Sequence, residues 1–338
     1  MQKCDIIKPI SALKRFRTED KMYLSIDEIK SITVGAVRSA LEADGLHFYK
    51  CTEKQTAAWY TQRKLMGERS VGSTGVRLDF HTDSSFFELG LAAGRSFDVY
   101  VDGEFSERFE FNGLQNVIRM SLDTDKRERR VTVYFPNYGD GGAIRYLILE
   151  DDATLSRHRF NKKILFIGDS IIAGYDASRD GLSLAHRVSR HFDAESVIHG
   201  IPGGYFHEDC FDTVGIDPDA VIVAFGTNDF SHYKSTDLLR NHAEKYFELL
   251  KREYYDKKLF FISPVWRVDH DRRQNMGSFD DCRRTVIECG EKYGFMHVDG
   301  YSMIAADPEY FSSEGVHPND KGFEMYSNNL IKALEQYI

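Results

Sequence analysis

The chain has no run of about 18 apolar residues that would cross a membrane. Its N-terminus, MQKCDIIKPISALKRFRTEDK, has no apolar stretch ahead of a small-residue cleavage site, so no secretory signal is visible. The five cysteines, Cys4, Cys51, Cys210, Cys282 and Cys289, are odd in number, widely spread and free of CxxC spacing. Neither a disulfide framework nor a structural zinc site is expected from them. These absences make the cytoplasm the expected compartment, although a secreted chain trimmed of its leader would read the same way. An excess of basic charge is also lacking. The 44 Lys and Arg stand against 53 Asp and Glu, a formal charge of −9, which argues against nucleic acid or an anionic membrane as partner. No HExxH, P-loop or strand-linked GxGxxG occurs, so no metal and no cofactor is expected. There is no internal repeat and no long Pro/Gly/Ser linker.

What is present suits a folded enzyme-sized chain. Its 338 residues are about twice the ~150-residue prior for one domain. Hydrophobic residues at 42% and charged residues at 29% support a real core and exclude disorder. The 18 Tyr and 24 Phe favour substantial β-structure.

The two halves differ in rhythm. Over residues 45–149 short segments alternate apolar and polar side chains: GLHFYKC, GVRLDFHTD, FFELGLAA, SFDVYVDG, ERFEFNG, NVIRMSLD, RVTVYFPN and AIRYLILE. Turn-prone pairs such as Asp102-Gly103 and Asp140-Gly141 separate them, and the pattern predicts an antiparallel sandwich or jelly roll. Thr52 with Gln55 makes a capping box ahead of a helix, and Ser25 with Glu28 makes another. From about residue 161 strand-like runs KILFIG, SVIHG, AVIVAFG, LFFISP and FMHVDG alternate with helical patterns near 182–192, 236–253, 279–293 and 320–336. That is the pattern of a doubly wound, flavodoxin-like α/β domain with a parallel sheet covered on both faces. The expected organisation is a sandwich over residues 1–155 and an α/β domain over 156–338.

Parallel sheets place their active sites at the carboxyl ends of the strands, and four polar blocks fall there. Gly168-Asp169-Ser170 follows the first strand, though such a tripeptide also caps helices. Gly200-Ile201-Pro202-Gly203-Gly204 follows the second, a turn whose glycines let backbone N–H groups approach a ligand. Gly226-Thr227-Asn228-Asp229 ends the third, where the Asn228 amide offers two N–H donors or simply caps the next helix. The last loop carries Glu314-Gly315-Val316-His317-Pro318, in which a carboxylate three residues before a histidine can orient the imidazole toward a serine. Each block is weak alone. Their conjunction, each at a strand end or in the last loop, points to nucleophilic acyl chemistry.

Together GDS, the glycine turn, GTND and the carboxylate-x-x-His-Pro block resemble the four sequence blocks of the SGNH (GDSL) hydrolase superfamily over residues 161–338. A β-rich region ahead of such a domain is similar in arrangement to the acetyl esterases of carbohydrate esterase family two. The resemblance implies Ser170 as nucleophile, His317 as general base and Glu314 as the acid that orients it. It also implies an oxyanion hole of the Ser170 and Gly203 N–H groups with the Asn228 side chain. Glu314 departs from the usual Asp by one methylene, so either the loop accommodates it or a backbone carbonyl orients His317 in a dyad.

Short polar loops after the strands lack the lid or tunnel of a lipase, which favours small acyl groups. Aromatic residues follow the blocks: Tyr175, Tyr205, Phe206, Phe230, Tyr233 and Trp266. These rings are candidate platforms for sugar faces, with Arg267 or Asp229 supplying hydrogen bonds, or else they are rim packing. Asp269-His270-Asp271 reads as a solvated loop more than as a ligand cluster. The expected function is a serine esterase acting on acetyl esters of carbohydrate, with a small-molecule or oligosaccharide ester as partner and self-association left open. The alternatives are a general short-chain esterase or thioesterase, and a carbohydrate-binding protein with a vestigial hydrolase domain.

Overall fold

The alternating segments of the first half form two antiparallel sheets that face each other across one apolar core. The computed structural model describes residues 16–18, 20–112, 116–139 and 141–338. One sheet runs in the order Phe16–Thr18, Lys21–Tyr23, Ala143–Glu150, Leu46–Tyr49 and Arg38–Leu41, and Phe86–Ala93 joins Ala143–Glu150 to Asn116–Ser121. The other runs Ser156–Arg157, Arg77–Thr82, Arg129–Tyr134, Ser96–Val101 and Glu104–Glu110, with Thr33–Val34 also on Arg77–Thr82. Phe80, Val99 and Val133 of this sheet meet Phe87, Leu89 and Leu147 of the first in the buried core. Because every second side chain of a strand points to the same face, the alternation seen in the sequence becomes one filled layer.

Local signals placed several elements. Asp102 at φ 52° and Gly103 at φ 87° make the two-residue hairpin turn between Ser96–Val101 and Glu104–Glu110. Asp140, of the other expected turn pair, lies outside the described residues, as does Cys4. Both capping boxes form, Ser25 with Glu28 on helix Ile26–Ser31 and Thr52 with Gln55 on helix Glu53–Gln62. A further helix, Lys64–Ser70, follows directly. It has no side-chain cap and carries Gly67 in its middle, so no start signal announces it. Gly67 is required by packing, since a Cβ there would lie 2.2 Å from the Tyr60 ring.

The second half forms a five-stranded parallel sheet in the order Ala194–Gly200, Lys162–Gly168, Ala220–Ala224, Lys258–Ile262 and Met296–Val298. This 2-1-3-4-5 order is the flavodoxin-like one. The first strand shows why helices cover both faces. Leu165 and Ile167 pack with Tyr246, Phe247 and Phe279 of helices Thr236–Glu253 and Phe279–Lys292. Ile164 and Phe166 pack with Leu184, Val188 and Leu330 of helices Leu184–His191 and Asp320–Leu334.

An ionic cluster ties the sandwich to this sheet. The buried Asp79 accepts from Arg77 Nε at 3.2 Å and from Arg130 Nε and Nη2 at 2.8 and 2.9 Å. Arg77 Nη2 also donates to the carbonyl of Ala194 at 2.9 Å, and Arg130 pairs with Asp193 at 3.1 Å. Burial opposes the charge of Asp79, but the two guanidinium groups outweigh it and hold the carboxyl below its usual range. Ser156–Arg157 pairs with Arg77–Thr82 of the sandwich, and the next strand, Lys162–Gly168, lies in the parallel sheet. The four described cysteines are free and buried.

Candidate active site

The strand pairing brings three of the polar blocks to one edge. Gly168 lies in register with Gly200 on one side and Ala224 on the other, so Ser170 is flanked by the glycine turn and the Asn228 loop. Ser170 opens the four-residue helix Ser170–Ala173, capped by Asp169, whose Oδ1 accepts the Ile171 N–H at 2.9 Å. Ser170 is 4% exposed, and its Oγ lies 2.7 Å from His317 Nε2.

The last loop is folded so that His317 can reach it. The His317 carbonyl accepts from the Ser312 N–H at 2.8 Å, and Gly315 turns at φ 75° because a Cβ there would lie 2.7 Å from Val268 Cβ. Within this turn Glu314 Oε1 accepts the backbone N–H of His317 at 2.8 Å and contacts Nδ1 of the same ring. The longer Glu side chain is thus taken up by folding back over three residues. The Nδ1 contact is an ion-pair contact whose angle misses hydrogen-bond alignment, so Nδ1 has no aligned partner. Burial opposes ionisation of Glu314. The His317 backbone N–H and ring charge outweigh it and hold the carboxyl below its usual range. A second carboxylate, Asp176 Oδ2, lies 3.7 Å from the same Nδ1, and the Tyr175 ring rests on the imidazole with centroids 4.6 Å apart. Asp176 had no signal beyond its distance of six residues from Ser170.

In the third block, Asn228 Nδ2 donates to the Gly204 carbonyl at 3.0 Å and lies 3.4 Å from Asp169 Oδ2. Gly203 adopts φ 85°, which only glycine takes easily, and lets the turn pass beneath the site. Burial pushes the Asp169 carboxyl up to about 7.

Several of the expected substrate contacts are placed elsewhere. Tyr205 is 2% exposed, stacked on His232 at 3.6 Å and edge-on to Trp59, so it is core and has no face for a sugar. Asp229 is 0% exposed and its Oδ1 accepts the Phe206 N–H at 3.0 Å, which makes it a buried brace of the glycine-turn loop, not a substrate ligand. Phe206, Phe230 and Tyr233 are buried with them. Trp266 is half-buried against Phe311 at 5.3 Å. Arg267 donates to the Thr227 carbonyl at 3.2 Å and pairs with Asp269, so its guanidinium fixes the Asn228 loop from behind. The apolar order along a loop does not say which ring turns inward, and packing decided it here.

Residues absent from the sequence argument come from the sandwich. Arg69 Nη1 donates to the Pro202 carbonyl at 2.8 Å, and Lys50 Nζ donates to the Gly200 carbonyl at 2.9 Å. Separations of 133 and 150 residues from the carbonyls they bond left no local signal. Among the described residues three clusters have cation-ligating types in reach. Asp176 and Glu314 meet at Nδ1 of His317, Glu208 of the His207, Glu208 and His242 cluster accepts from Lys245 at 2.9 Å, and Glu42, Asp44 and His47 lie toward the surface. No helix among the described residues is long and apolar enough to cross a membrane.

Comparison with known proteins agrees with this geometry. The sequence model of the GDSL-like lipase/acylhydrolase family matches residues 166–325, which hold all four blocks. No curated protein matches the chain. Among solved structures, a Bacteroides ovatus chain assigned to the GDSL-like lipases is 19% identical with a TM-score of 0.75, covering 94% of this chain and 98% of that one. The salicylyl-acyltransferase SsfX3 of a tetracycline biosynthetic pathway is 18% identical, TM-score 0.74, over 90% of this chain and 94% of its own. A family two carbohydrate esterase from Cellvibrio japonicus is 14% identical, TM-score 0.68, over 94% and 97%. The fold they share includes the sandwich as well as the α/β domain.

Proposed function

We propose that the chain, whose residues 166–325 match the GDSL-like lipase/acylhydrolase family, is a carboxylic ester hydrolase that removes acetyl groups from carbohydrate through an acyl-enzyme intermediate. The observation that carries the reading is the 2.7 Å contact between Ser170 Oγ and His317 Nε2. A serine hydroxyl is a weak nucleophile at neutral pH, and a base in hydrogen-bond reach takes its proton as the bond to the ester carbon forms. His317 then carries that proton to the leaving alcohol. Glu314, with Asp176 behind it, stabilises the imidazolium from the Nδ1 side. The tetrahedral oxyanion meets the Ser170 and Gly203 N–H groups and the Asn228 amide, donors fixed before charge develops. Water then attacks the acyl-enzyme, giving its proton to His317, and acetate leaves as Ser170 is reprotonated.

The sugar half of the reading is supported by the fold shared with a family two carbohydrate esterase. The test is acetate release by wild type and Ser170→Ala from acetylated oligosaccharides and from an aryl acetate. Serine-dependent release with a preference for sugar esters is expected, and release from the aryl ester alone would discard the sugar.

A second reading is acyl transfer, in which an acceptor alcohol replaces the water. The likeness to a salicylyl-acyltransferase over 90% of this chain favours it. Adding a sugar acceptor to the aryl acetate reaction separates the two, since transfer yields acetylated sugar in place of free acetate.

A further inference from the structure

The sandwich reaches into the catalytic cleft with two cations. Arg69, near the end of helix Lys64–Ser70, donates from Nη1 to the Pro202 carbonyl at 2.8 Å, and that nitrogen stands 3.2 Å from where a Gly203 Cβ would lie. Lys50 is 1% exposed and donates from Nζ to Thr74 Oγ1 at 2.8 Å and to the Gly200 carbonyl at 2.9 Å. Both line a cavity of about 90 Å³ together with Tyr138, Tyr175 and Pro202. Tyr175 is the ring that rests on His317, so this cavity opens beside the Ser170–His317 pair.

The charge in this cavity is uneven. A buried ammonium costs several kcal/mol unless an anion or a full set of acceptors faces it. Among the described residues neither Lys50 nor Arg69 pairs with a carboxylate, and their partners are carbonyl and hydroxyl oxygens. Burial, joined by repulsion from Arg69, pushes the Lys50 ammonium down to about 8. The Tyr138 hydroxyl is buried with no hydrogen-bond partner, its ring edge-on to Tyr175 at 5.1 Å. The acidic groups felt at Tyr138 are Asp180 and Asp176, and Asp176 lies on the His317 side. The cationic wall therefore comes from the sandwich, and Tyr175, whose ring touches His317, links the cavity to the Ser170–His317 pair. A wider cleft of about 490 Å³ shares Tyr138 and Gly139 with this cavity and continues over the sandwich past Arg95, Phe111 and Asn112.

We propose that this cavity binds the carboxylate of an acidic sugar, so that the preferred substrate is an acetyl ester on a uronic acid residue whose carboxylate meets Arg69 and Lys50 while the ester faces Ser170. The inference rests on the carbohydrate esterase reading and names its substrate class. Arg69 spends one nitrogen on Pro202 and retains a guanidinium edge that suits one planar carboxylate. The Tyr138 hydroxyl supplies a further donor, and the wider cleft gives the neighbouring sugars a path along the sandwich.

The test uses the full chain and a matched pair of esters, mono-O-acetylated methyl glucuronoside and mono-O-acetylated methyl glucoside. Wild type is expected to prefer the acidic ester by ~10-fold or more in kcat/KM. Arg69→Gln is expected to bring that ratio near one, chiefly through KM. Equal kcat/KM for the two esters in wild type would overturn the proposal. So would an Arg69→Gln variant that loses both activities by the same factor, because Arg69 would then only hold the Pro202 loop. Titration calorimetry of wild type with unacetylated methyl glucuronoside and methyl glucoside decides the pocket without any variant or turnover. Tighter binding of the glucuronoside supports it and equal binding sinks it. Silence toward aryl acetate, by contrast, would sink the esterase reading and leave the calorimetric result standing.

Discussion

Asp169 Oδ2 lies 3.4 Å from Asn228 Nδ2, so the residue that caps the Ser170 helix also faces the amide proposed for the oxyanion hole. The same nitrogen is anchored at 3.0 Å on the Gly204 carbonyl. One N–H of Asn228 therefore holds the planar amide in place, and the other, engaged only at 3.4 Å by Asp169, is the donor left for an oxyanion.

Asn228→Ala is accordingly expected to cost ~3 kcal/mol of transition-state stabilisation, a fall in kcat of ~10²-fold, with KM nearly unchanged. Steady-state kinetics on an aryl acetate reads this directly. A rise in KM at constant kcat would move Asn228 from charge stabilisation to substrate binding.

Ser170→Ala and His317→Ala should each lower kcat by at least ~10³-fold, and the double variant should be little worse than either, because the two groups act as one unit. Thermal unfolding should change little, since the Ser170 hydroxyl is bonded chiefly to the His317 ring. An alanine variant that retains most of its turnover would remove Ser170 or His317 from the mechanism.

Much of this arrangement was legible because the chemistry sits on local patterns. Ser170, Gly203 and Asn228 each follow a strand whose apolar run is unmistakable, and a parallel sheet collects such loops at one edge. The capping boxes at Ser25 and Thr52 were readable for the same reason, since their hydrogen bonds span three residues. Tyr205 and Asp229 were misread because their neighbours in sequence say nothing of which way a loop side chain turns. Trp59 and His232, which bury Tyr205, come from a sandwich-side helix and from the short helix Asp229–His232 beyond the next strand. Arg69 and Lys50 were invisible for a similar reason. Their role arises only where the sandwich docks on the glycine turn, a contact fixed by tertiary packing.

The Nδ1 side of His317 offers a sharper test than removing the histidine. Glu314 touches Nδ1 and Asp176 lies 3.7 Å away, so the two carboxylates are expected to share the stabilisation of an imidazolium. Glu314→Gln is expected to lower kcat by ~10–10²-fold, less than removal of a sole triad acid, and Asp176→Asn by ~3-fold. The double variant should fall by more than the product of the two, because neither carboxylate remains to compensate. A Glu314→Gln/Asp176→Asn double variant at full activity would mean that His317 works with Ser170 as a dyad.

Stability should fall toward alkaline pH in a way that traces to the carboxyl groups behind the site. Burial pushes the Asp229 carboxyl from its ordinary 3.8 up to about 7, and its Oδ2 has no hydrogen-bond partner to stabilise a charge. A carboxyl whose pKa rises on folding contributes stability that is fully present below the unfolded value and is lost as pH climbs through the folded one. The window is therefore about pH 4 to 7 for this group, with the folded protein forced to bury a charge above it. Asp229→Asn keeps an oxygen for the Phe206 N–H while removing the titration. Urea unfolding of both proteins at pH 5 and pH 8.5 should show wild type losing on the order of 1–3 kcal/mol more than the variant between the two conditions. Any constant offset from the new amide cancels in that difference, so parallel losses in the two proteins would show that Asp229 stays ionised in the fold at neutral pH.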